Sequence, residues 1–425
     1  MSTTPVGAAG GPPRTLNRRW VAAWAMYDFA NSVYPAVIQA TVFSVYFATV
    51  IVGNEAGLGD LWWGRVMSAS MLFVALSSPI LGSVADRAGV RKKMLMAYAY
   101  LCIACVALFT KIEPGMIVLG WALATLANIG FEGSLVYYNA YLPDIAPRDR
   151  QGWVSGLGFG VGYASSALGL LAALPLVLRG RFDLTWLFVA AFFAVFSLPT
   201  FLGLPRDPPG RCTVLRAAWE GITGFRRIAG DVFRLRDVRR FLLAFFVYID
   251  GVNTTIFFAS IYAATTLGFA QQELIFLFLV VQLSALAGAF LLAKPTDAWG
   301  PKRVIDLTLV LWTVIAVAAF FVQSKTTFFG IAVLAGTGLG AVQAASRAFM
   351  SALTPDGKEA EMFGFYAFCG KSSSIIGPLV FGMISVATGG NQRLAVLVVG
   401  SFFLIGLALL QRVRDPRLAD AGPAA

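Results

Sequence analysis

Residues 304–323 read VIDLTLVLWTVIAVAAFFVQ, a run in which Asp306 is the one ionisable side chain. An α-helix rises 1.5 Å per residue, so a run of this length crosses the hydrocarbon core of a bilayer, which is about 30 Å thick. The run lacks the alternation of polar and apolar side chains that a barrel strand requires. Because backbone groups in lipid must be paired within the segment, the run is predicted to form a transmembrane helix.

Eleven similar apolar runs lie on either side of this one, six of them before a polar, arginine-rich stretch and five after it. The predicted spans are 21–52, 62–84, 94–111, 115–142, 154–178, 186–204, 241–267, 273–293, 304–323, 327–353, 363–387 and 394–411. The predicted fold class is therefore an all-α membrane protein with twelve transmembrane helices in two six-helix bundles.

The composition agrees with lipid as the main solvent. Of the 425 residues, 58% are hydrophobic and 13% are charged, a combination that soluble domains do not show. The formal net charge of +11 would suggest nucleic acid as a partner of a soluble protein. Here 25 of the 33 Lys and Arg residues lie in the tails and alternate connections, and 6 lie in the opposite connections. The positive-inside rule therefore predicts a multi-pass protein of the bacterial inner membrane with both termini cytoplasmic and no nucleic-acid partner.

The chain divides into five predicted segments. They are a disordered cytoplasmic tail over 1–20, a first bundle over 21–204, a basic cytoplasmic linker over 205–240, a second bundle over 241–411 and a cytoplasmic tail over 412–425. In the linker, Leu215, Trp219 and Ile222 recur at helical spacing among arginines, which is typical of an amphipathic helix on a membrane face. A regulatory domain or a protein-docking site is the alternative.

Enzymatic and metal-dependent functions find little support. The chain has no histidine, which excludes His-based triads, zinc sites and proton relays. Cys102 and Cys105 are spaced like a redox pair but lie in an apolar span. Gly370-Lys371-Ser372 resembles the end of a phosphate loop, but that motif requires glycine where the chain has Phe365. We expect no cofactor, no metal and no catalytic residues.

The two halves repeat each other. Asp28 and Asn31 in span 1 are echoed by Asp250 and Asn253 in span 7, at an offset of 222 residues. Glycines and a Pro-Asp pair around spans 4 and 5 recur around spans 10 and 11. Each half is therefore predicted to be a copy of one module, related to the other by pseudo-symmetry, with spans 1, 4, 7 and 10 lining a shared cavity.

Five ionisable residues lie at membrane depth and are accompanied by amides on the same helix faces. The ionisable residues are Asp28, Glu132, Asp250, Arg347 and Lys371, and the amides include Asn31, Asn139, Asn253 and Gln343. A charge at this depth costs about 2.5–3.5 kcal/mol on insertion scales, so each requires a partner or a function. Binding of a solute is one hypothesis. Ion pairs that only hold the bundles together are the alternative.

The connection after span 2 carries a recognisable motif. Residues 82–93 read GSVADRAGVRKK and resemble the signature loop of the major facilitator superfamily. The resemblance implies a cytoplasmic latch formed by Gly82, Asp86, Arg87, Gly89 and Arg91. A degraded copy, KPTDAWGPKR, occupies residues 294–303 after span 8, and its missing Gly and Arg make a second latch doubtful.

Further runs are similar to the vacuole effluxer branch of that superfamily. They are YDFANS from Tyr27, YNAYLPDIAP from Tyr138, YIDGVNT from Tyr248, QAASR from Gln343 and EMFGFYAFCGKSS from Glu361. The resemblance implies a secondary transporter, and the best-known members are implicated in the export of amino acids.

The charges at membrane depth are compatible with such a solute, because a zwitterion needs one cation and one anion. We expect Arg347 or Lys371 to hold a carboxylate, Asp28 or Asp250 to hold an ammonium group, and Glu132, with Asp28, to take up a coupling proton. The predicted function is alternating-access transport of a small polar or amphoteric solute, by a protein expected to be a monomer in the lipid bilayer. The alternatives are a drug or sugar exporter of the same fold, and a transporter-like receptor or scaffold.

Overall fold

A computed structural model describes the protein over residues 16–53, 58–269, 271–373, 376–388 and 391–415. Every regular element of these residues is a helix. Eleven predicted spans coincide with helical segments that are long and apolar enough to cross a membrane. The span predicted at 363–387 is described as two helices, on either side of residues 374 and 375, which lie outside the described part. The predicted all-α fold of twelve spans is confirmed.

The first half supplies spans 1 to 6. Its helices are α1 (Arg18–Asn31), α2 (Val42–Tyr46), α3 (Leu58–Ala88), α4 (Arg91–Leu108), α5 (Ile117–Asn139), α6 (Leu142–Ile145), α7 (Gln151–Leu178) and α8 (Phe182–Gly203). Span 1 comprises α1, α2 and the turns between and after them, and span 4 comprises α5 and α6.

The second half follows two short linker helices, α9 (Val214–Thr223) and α10 (Phe225–Arg234). Its helices are α11 (Arg236–Leu267), α12 (Gln271–Leu291), α13 (Ala293–Trp299), α14 (Pro301–Phe321), α15 (Lys325–Leu353), α16 (Glu359–Ser373), α17 (Ile376–Ala387) and α18 (Gln392–Leu410). Span 8 comprises α12 and α13, and span 11 comprises α16 and α17. With twelve crossings, both ends of the chain lie on one side of the membrane, which we call the terminal face.

Span 1 is irregular where it passes the centre of the molecule. Proline has no amide N–H, so Pro35 cannot donate to the carbonyl of Asn31. The helix widens there into a π-helical turn over Pro35–Gln39, and a second one follows at Phe47–Val52. Such turns leave backbone groups without their usual partners and often accompany functional sites.

Glycines allow spans 8 and 10 to pack closely. A Cβ atom on Gly340 of α15 would lie 1.9 Å from the carbonyl oxygen of Ala285, and one on Gly336 would lie 2.5 Å from that of Val281. Neither position tolerates a side chain unless the helices separate. Gly336 and Gly340 therefore serve helix packing.

The two halves contact each other near the terminal face. There α16 packs on α3, and α12, α13 and α15 pack on α7. A Cβ on Gly364 would meet the Ser78 carbonyl oxygen at 2.5 Å, and one on Gly156 would meet the Ala293 Cβ at 2.6 Å. The repeats thus pack in the same way, because span 11 lies on span 2 as span 5 lies on span 8.

Candidate substrate cavity

A cavity of about 640 Å³ lies between the two halves. It extends away from the terminal face, because Trp63 and Met67 from the first turns of α3 line it. Its polar lining includes most of the residues that the sequence singled out, namely Asp28, Asn31, Glu132, Asn139, Gln343, Arg347 and Lys371. The cavity therefore gathers charged groups from spans 1, 4, 10 and 11.

Arg347 joins three helices of the first half to α15. Its Nη1 lies 3.3 Å from Asp28 Oδ2 and donates to Asn139 Oδ1 at 3.2 Å. Its Nε donates to Ser155 Oγ at 2.9 Å, and its Nη2 donates to the Ser155 carbonyl at 2.7 Å. Asp28 also accepts a hydrogen bond from Tyr138 at 2.7 Å. Only 2% of Arg347 is exposed. The guanidinium therefore lies buried at the edge of the cavity, and almost all of its N–H groups are hydrogen-bonded.

Aromatic rings complete the surroundings of Arg347. The guanidinium carbon lies 4.0 Å from the ring centroid of Phe159 and 4.7 Å from that of Trp24. The Trp24 ring stacks on Tyr138 at 4.5 Å, and its Nε1 donates to the Tyr138 carbonyl at 2.9 Å. A Cβ on Gly158 would lie 2.4 Å from Asp28 Oδ2, so only glycine fits beside this ion pair.

Lys371 forms the second ion pair between the halves. Its Nζ lies 2.7 Å from Glu132 Oε2 in span 4. In contrast to Arg347, the Lys371 side chain is 29% exposed, while that of Glu132 is 5% exposed. This pair therefore has one member that a solute in the cavity can reach.

Asp250 and Asn253 do not line the cavity, although they repeat Asp28 and Asn31. Asp250 is buried and accepts hydrogen bonds from Thr254 Oγ1, at 3.5 Å, and from the backbone N–H of Gly377. Gly377 lies in α17, so the carboxylate is held between spans 7 and 11. A Cβ on Gly377 would lie 2.6 Å from Asp250 Oδ1. Of the two aspartates predicted to hold an ammonium group, Asp28 lines the cavity and Asp250 does not.

At the terminal face, Arg91 is the centre of an ionic network. Its Nη2 lies 3.1 Å from Asp86 and 2.9 Å from Glu359 of the second half, and its Nη1 lies 2.6 Å from Asp144. The Arg91 side chain is 5% exposed. The residues of the predicted latch thus join span 3 to α16, across the boundary between the halves.

Asp86 holds the same boundary through a helix terminus. Its Oδ2 accepts a hydrogen bond from the backbone N–H of Glu361, in the first turn of α16, at 2.9 Å. The positive end of the helix dipole favours a carboxylate at this place. Gly82 is required for the approach, since a Cβ there would lie 2.3 Å from the Ala360 carbonyl oxygen.

The degraded motif after span 8 makes the equivalent contact. Asp297 accepts hydrogen bonds from the backbone N–H groups of Gly152, at 2.8 Å, and Trp153, at 2.9 Å, in the first turn of α7. The second copy of the motif lacks the Gly and Arg of the first, which affects the arginine network. The aspartate that caps a helix of the opposite half is present in both copies.

The linker covers the latch loop on the terminal face. Gly89 has φ +62°, and a Cβ there would lie 2.3 Å from the Pro208 carbonyl oxygen. Asp207 accepts hydrogen bonds from the Lys92 backbone at 2.7 Å and from Tyr141 at 2.6 Å.

In α9, the Glu220 carboxylate forms ion pairs with Arg87, at 3.3 Å, and with Arg216, at 2.8 Å. The hydrogen bond from Arg216 lowers the pKa of this carboxyl. The predicted latch residue Arg87 thus contacts the linker instead of the second half.

Sequence reasoning found the charges of the cavity but missed several of their partners. Trp24, Tyr138, Ser155 and Phe159 surround Arg347, and Glu359 completes the latch. Trp24 precedes Asp28 by four residues and therefore shares its helix face. This spacing was the sequence signal for Trp24 as a neighbour of the ion pair. The approach of α7 to α15, which brings Ser155 to Arg347, has no local signature.

Comparisons with known proteins agree with this geometry. The family described as "Vacuole effluxer Atg22 like" matches residues 65–153 and 146–419. The chain is 29% identical over 414 residues to YxiO of Bacillus subtilis (strain 168), named an uncharacterized MFS-type transporter, covering 94% of this chain and 95% of the relative.

A fungal relative and a solved structure extend the comparison. Autophagy-related protein 22 of Cryptococcus neoformans is 29% identical over 248 residues, which cover 53% of this chain and 43% of that relative. The human organic anion transporter MFSD10 superimposes with a TM-score of 0.76 at 15% identity, covering 94% of this chain and 100% of that structure.

Proposed function

The chain belongs to the vacuole effluxer Atg22-like family of major facilitator transporters, and on this basis we propose that it moves a small amphoteric, amino-acid-like solute together with a proton. The observation that carries the proposal is the Lys371–Glu132 pair, which bridges the halves at 2.7 Å and exposes its cation to the cavity.

Lys371 is the cation that a solute carboxylate reaches. It has one anionic partner at 2.7 Å and a partly exposed side chain, whereas Arg347 is held by Asp28, Asn139 and both oxygens of Ser155. A carboxylate that binds Lys371 competes directly with Glu132. Asp28 and the amide oxygens of the cavity then face the ammonium group of the same solute.

The competition couples the solute to a proton. Once the solute carboxylate takes Lys371, Glu132 is a buried carboxylate without its cation, and a proton that binds Glu132 removes this unpaired charge. One zwitterionic solute and one proton are then bound together, and the loaded cavity carries one positive charge more than the empty one. A sugar has no charge to exchange with this pair, so the pair favours an amphoteric solute over a sugar.

The orientation in the membrane belongs to the same proposal. The terminal face carries the basic connections, and the positive-inside rule places it in the cytoplasm of a bacterial cell. The latch then closes the cytoplasmic side, and the cavity faces outward. Alternating access requires the latch to break while the halves close on the opposite side.

The test uses proteoliposomes loaded with purified protein and radiolabelled amino acids. Lys371→Ala should reduce uptake at least about tenfold, since it removes the cation for the solute carboxylate, and a hydrogen bond to a charged group contributes about 1.5–3 kcal/mol. Glu132→Gln should abolish uptake driven by a pH gradient but retain counterflow. The matched control is Lys325→Ala, because Lys325 and Glu273 also form a 2.7 Å pair but do not line the cavity. Wild-type uptake by Lys371→Ala would refute the proposal.

A further inference from the structure

A second, smaller hollow lies inside the second half. Its volume is about 130 Å³, and it is enclosed by spans 7, 8, 9, 10 and 12. Its lining is almost entirely apolar and includes Leu274, Leu277, Val281, Trp312, Ile331 and Ala335. We call it the side pocket.

The side pocket adjoins the substrate cavity directly. Four residues line both spaces, and they are Ile256, Phe278, Gln282 and Leu339. A molecule held in the cavity can therefore place one of its groups in the side pocket. The charged residues Lys371 and Glu132 line the cavity and not the side pocket, so the two spaces offer opposite chemistry.

An empty apolar space destabilises a protein, because the atoms around it lack packing partners. An engineered apolar cavity of about 150 Å³ is known to hold benzene, so the side pocket has room for a group of roughly that size. These properties suit an apolar group of a ligand.

We infer that the side pocket is a specificity site, which receives an uncharged apolar group of the solute while the charged head lies at Lys371. The accepted groups range from a short alkyl chain to a single six-membered ring, and charged or two-ring groups are rejected. This inference rests on the proposed function for the position of the charged head at Lys371. It adds that the side pocket selects the apolar group of the solute.

The experiment measures how strongly unlabelled amino acids compete with the uptake of a radiolabelled one. The competitors have the same charged head group and differ in their side chains. Norleucine and phenylalanine should compete at least about tenfold better than glycine, since each buried methylene contributes roughly 0.8 kcal/mol. Lysine, which is a norleucine-like chain with a terminal charge, and naphthylalanine should compete poorly. Ala335→Phe fills the pocket and should remove the preference for norleucine while glycine still competes.

Two further variants keep the inference open to refutation. Val333→Phe is the matched control, because Val333 is exposed on the same helix and lies outside the pocket, and it should keep the wild-type preference. Leu277→Ala enlarges the pocket and should admit naphthylalanine. An unchanged ratio of norleucine to glycine in Ala335→Phe, or continued rejection of naphthylalanine by Leu277→Ala, would overturn the specificity site.

The outcome is separate from that of the proposed function. If Lys371→Ala transports norleucine like the wild type, the head is bound elsewhere, and the proposed function fails. In that case the loss of the norleucine preference in Ala335→Phe would still support the side pocket, and its retention would refute it.

Discussion

Arg347 and Lys371 carry the same charge and come from the same half, but their surroundings give them different roles. Arg347 is 2% exposed, lies between the rings of Phe159 and Trp24, and has partners in spans 1, 4 and 5. Lys371 has one carboxylate partner and contacts the cavity. A planar, hydrogen-bonded guanidinium suits a permanent junction between helices. An ammonium group on a flexible stem suits an exchange of partners.

Substitution of Arg347 should therefore affect stability more than substitution of Lys371. Arg347→Ala leaves Asp28 as a buried carboxylate without a cation, which costs about 3–5 kcal/mol. We expect a large fall in the melting temperature of the purified protein, and a smaller one for Lys371→Ala, because the Lys371 side chain is partly exposed to the cavity. The double variant Arg347→Ala/Asp28→Asn removes the unpaired charge and should recover part of the loss. Equal melting temperatures for Arg347→Ala and the wild type would contradict a structural role for this pair.

At the scale of elements, two aspartates cap helices of the opposite half. Asp86 caps α16 and Asp297 caps α7. Each carboxylate accepts a backbone N–H that has no partner within its own helix, at the positive end of the helix dipole. The two contacts are related by the repeat, and both hold the halves together at the terminal face.

Loss of either cross-half cap should open the terminal face. The reporter is Thr296→Cys in a protein whose four native cysteines are replaced, because Thr296 is buried against Gly152 of the other half. Asp86→Asn and Asp297→Asn each weaken a charge-assisted cap worth roughly 0.5–2 kcal/mol. We expect thiol labelling at position 296 to rise about twofold to thirtyfold in each. The control Asp183→Asn removes a surface pair with Arg181 and should change nothing.

The elements differ in how well the sequence predicts them. Hydropathy is a property of the local chain, so spans such as 304–323 follow from composition and length. Pairing is not local, because Lys371 meets Glu132 only when spans 4 and 11 pack in one register. The repeat also misled in one respect. It predicted that Asp28 and Asp250 both line the cavity, but Asp250 instead accepts hydrogen bonds from Thr254 and from the backbone of Gly377.

At the scale of the whole molecule, charge is divided between the halves. In both ion pairs at the cavity the anion comes from the first half and the cation from the second, as Asp28–Arg347 and Glu132–Lys371. The latch reverses the order, with Arg91 in the first half and Glu359 in the second. All three pairs are formed together in this one conformation. A conformation that opens the terminal face must break the Arg91–Glu359 pair, so the arrangement described here is the latched one.

The latched conformation predicts from which side each part of the molecule can be labelled. Ala40 is exposed and lines the cavity, so Ala40→Cys in the background without native cysteines should react with a membrane-impermeant maleimide added to intact cells. Arg303 is exposed after span 8 on the terminal face, and Arg303→Cys should react only after the cells are opened. The two variants together test orientation and closure, because one reagent must reach one site and miss the other. Labelling of Arg303→Cys in intact cells would reverse the orientation. Protection of Ala40→Cys in intact cells, with labelling after they are opened, would mean that the resting protein in the membrane is unlatched.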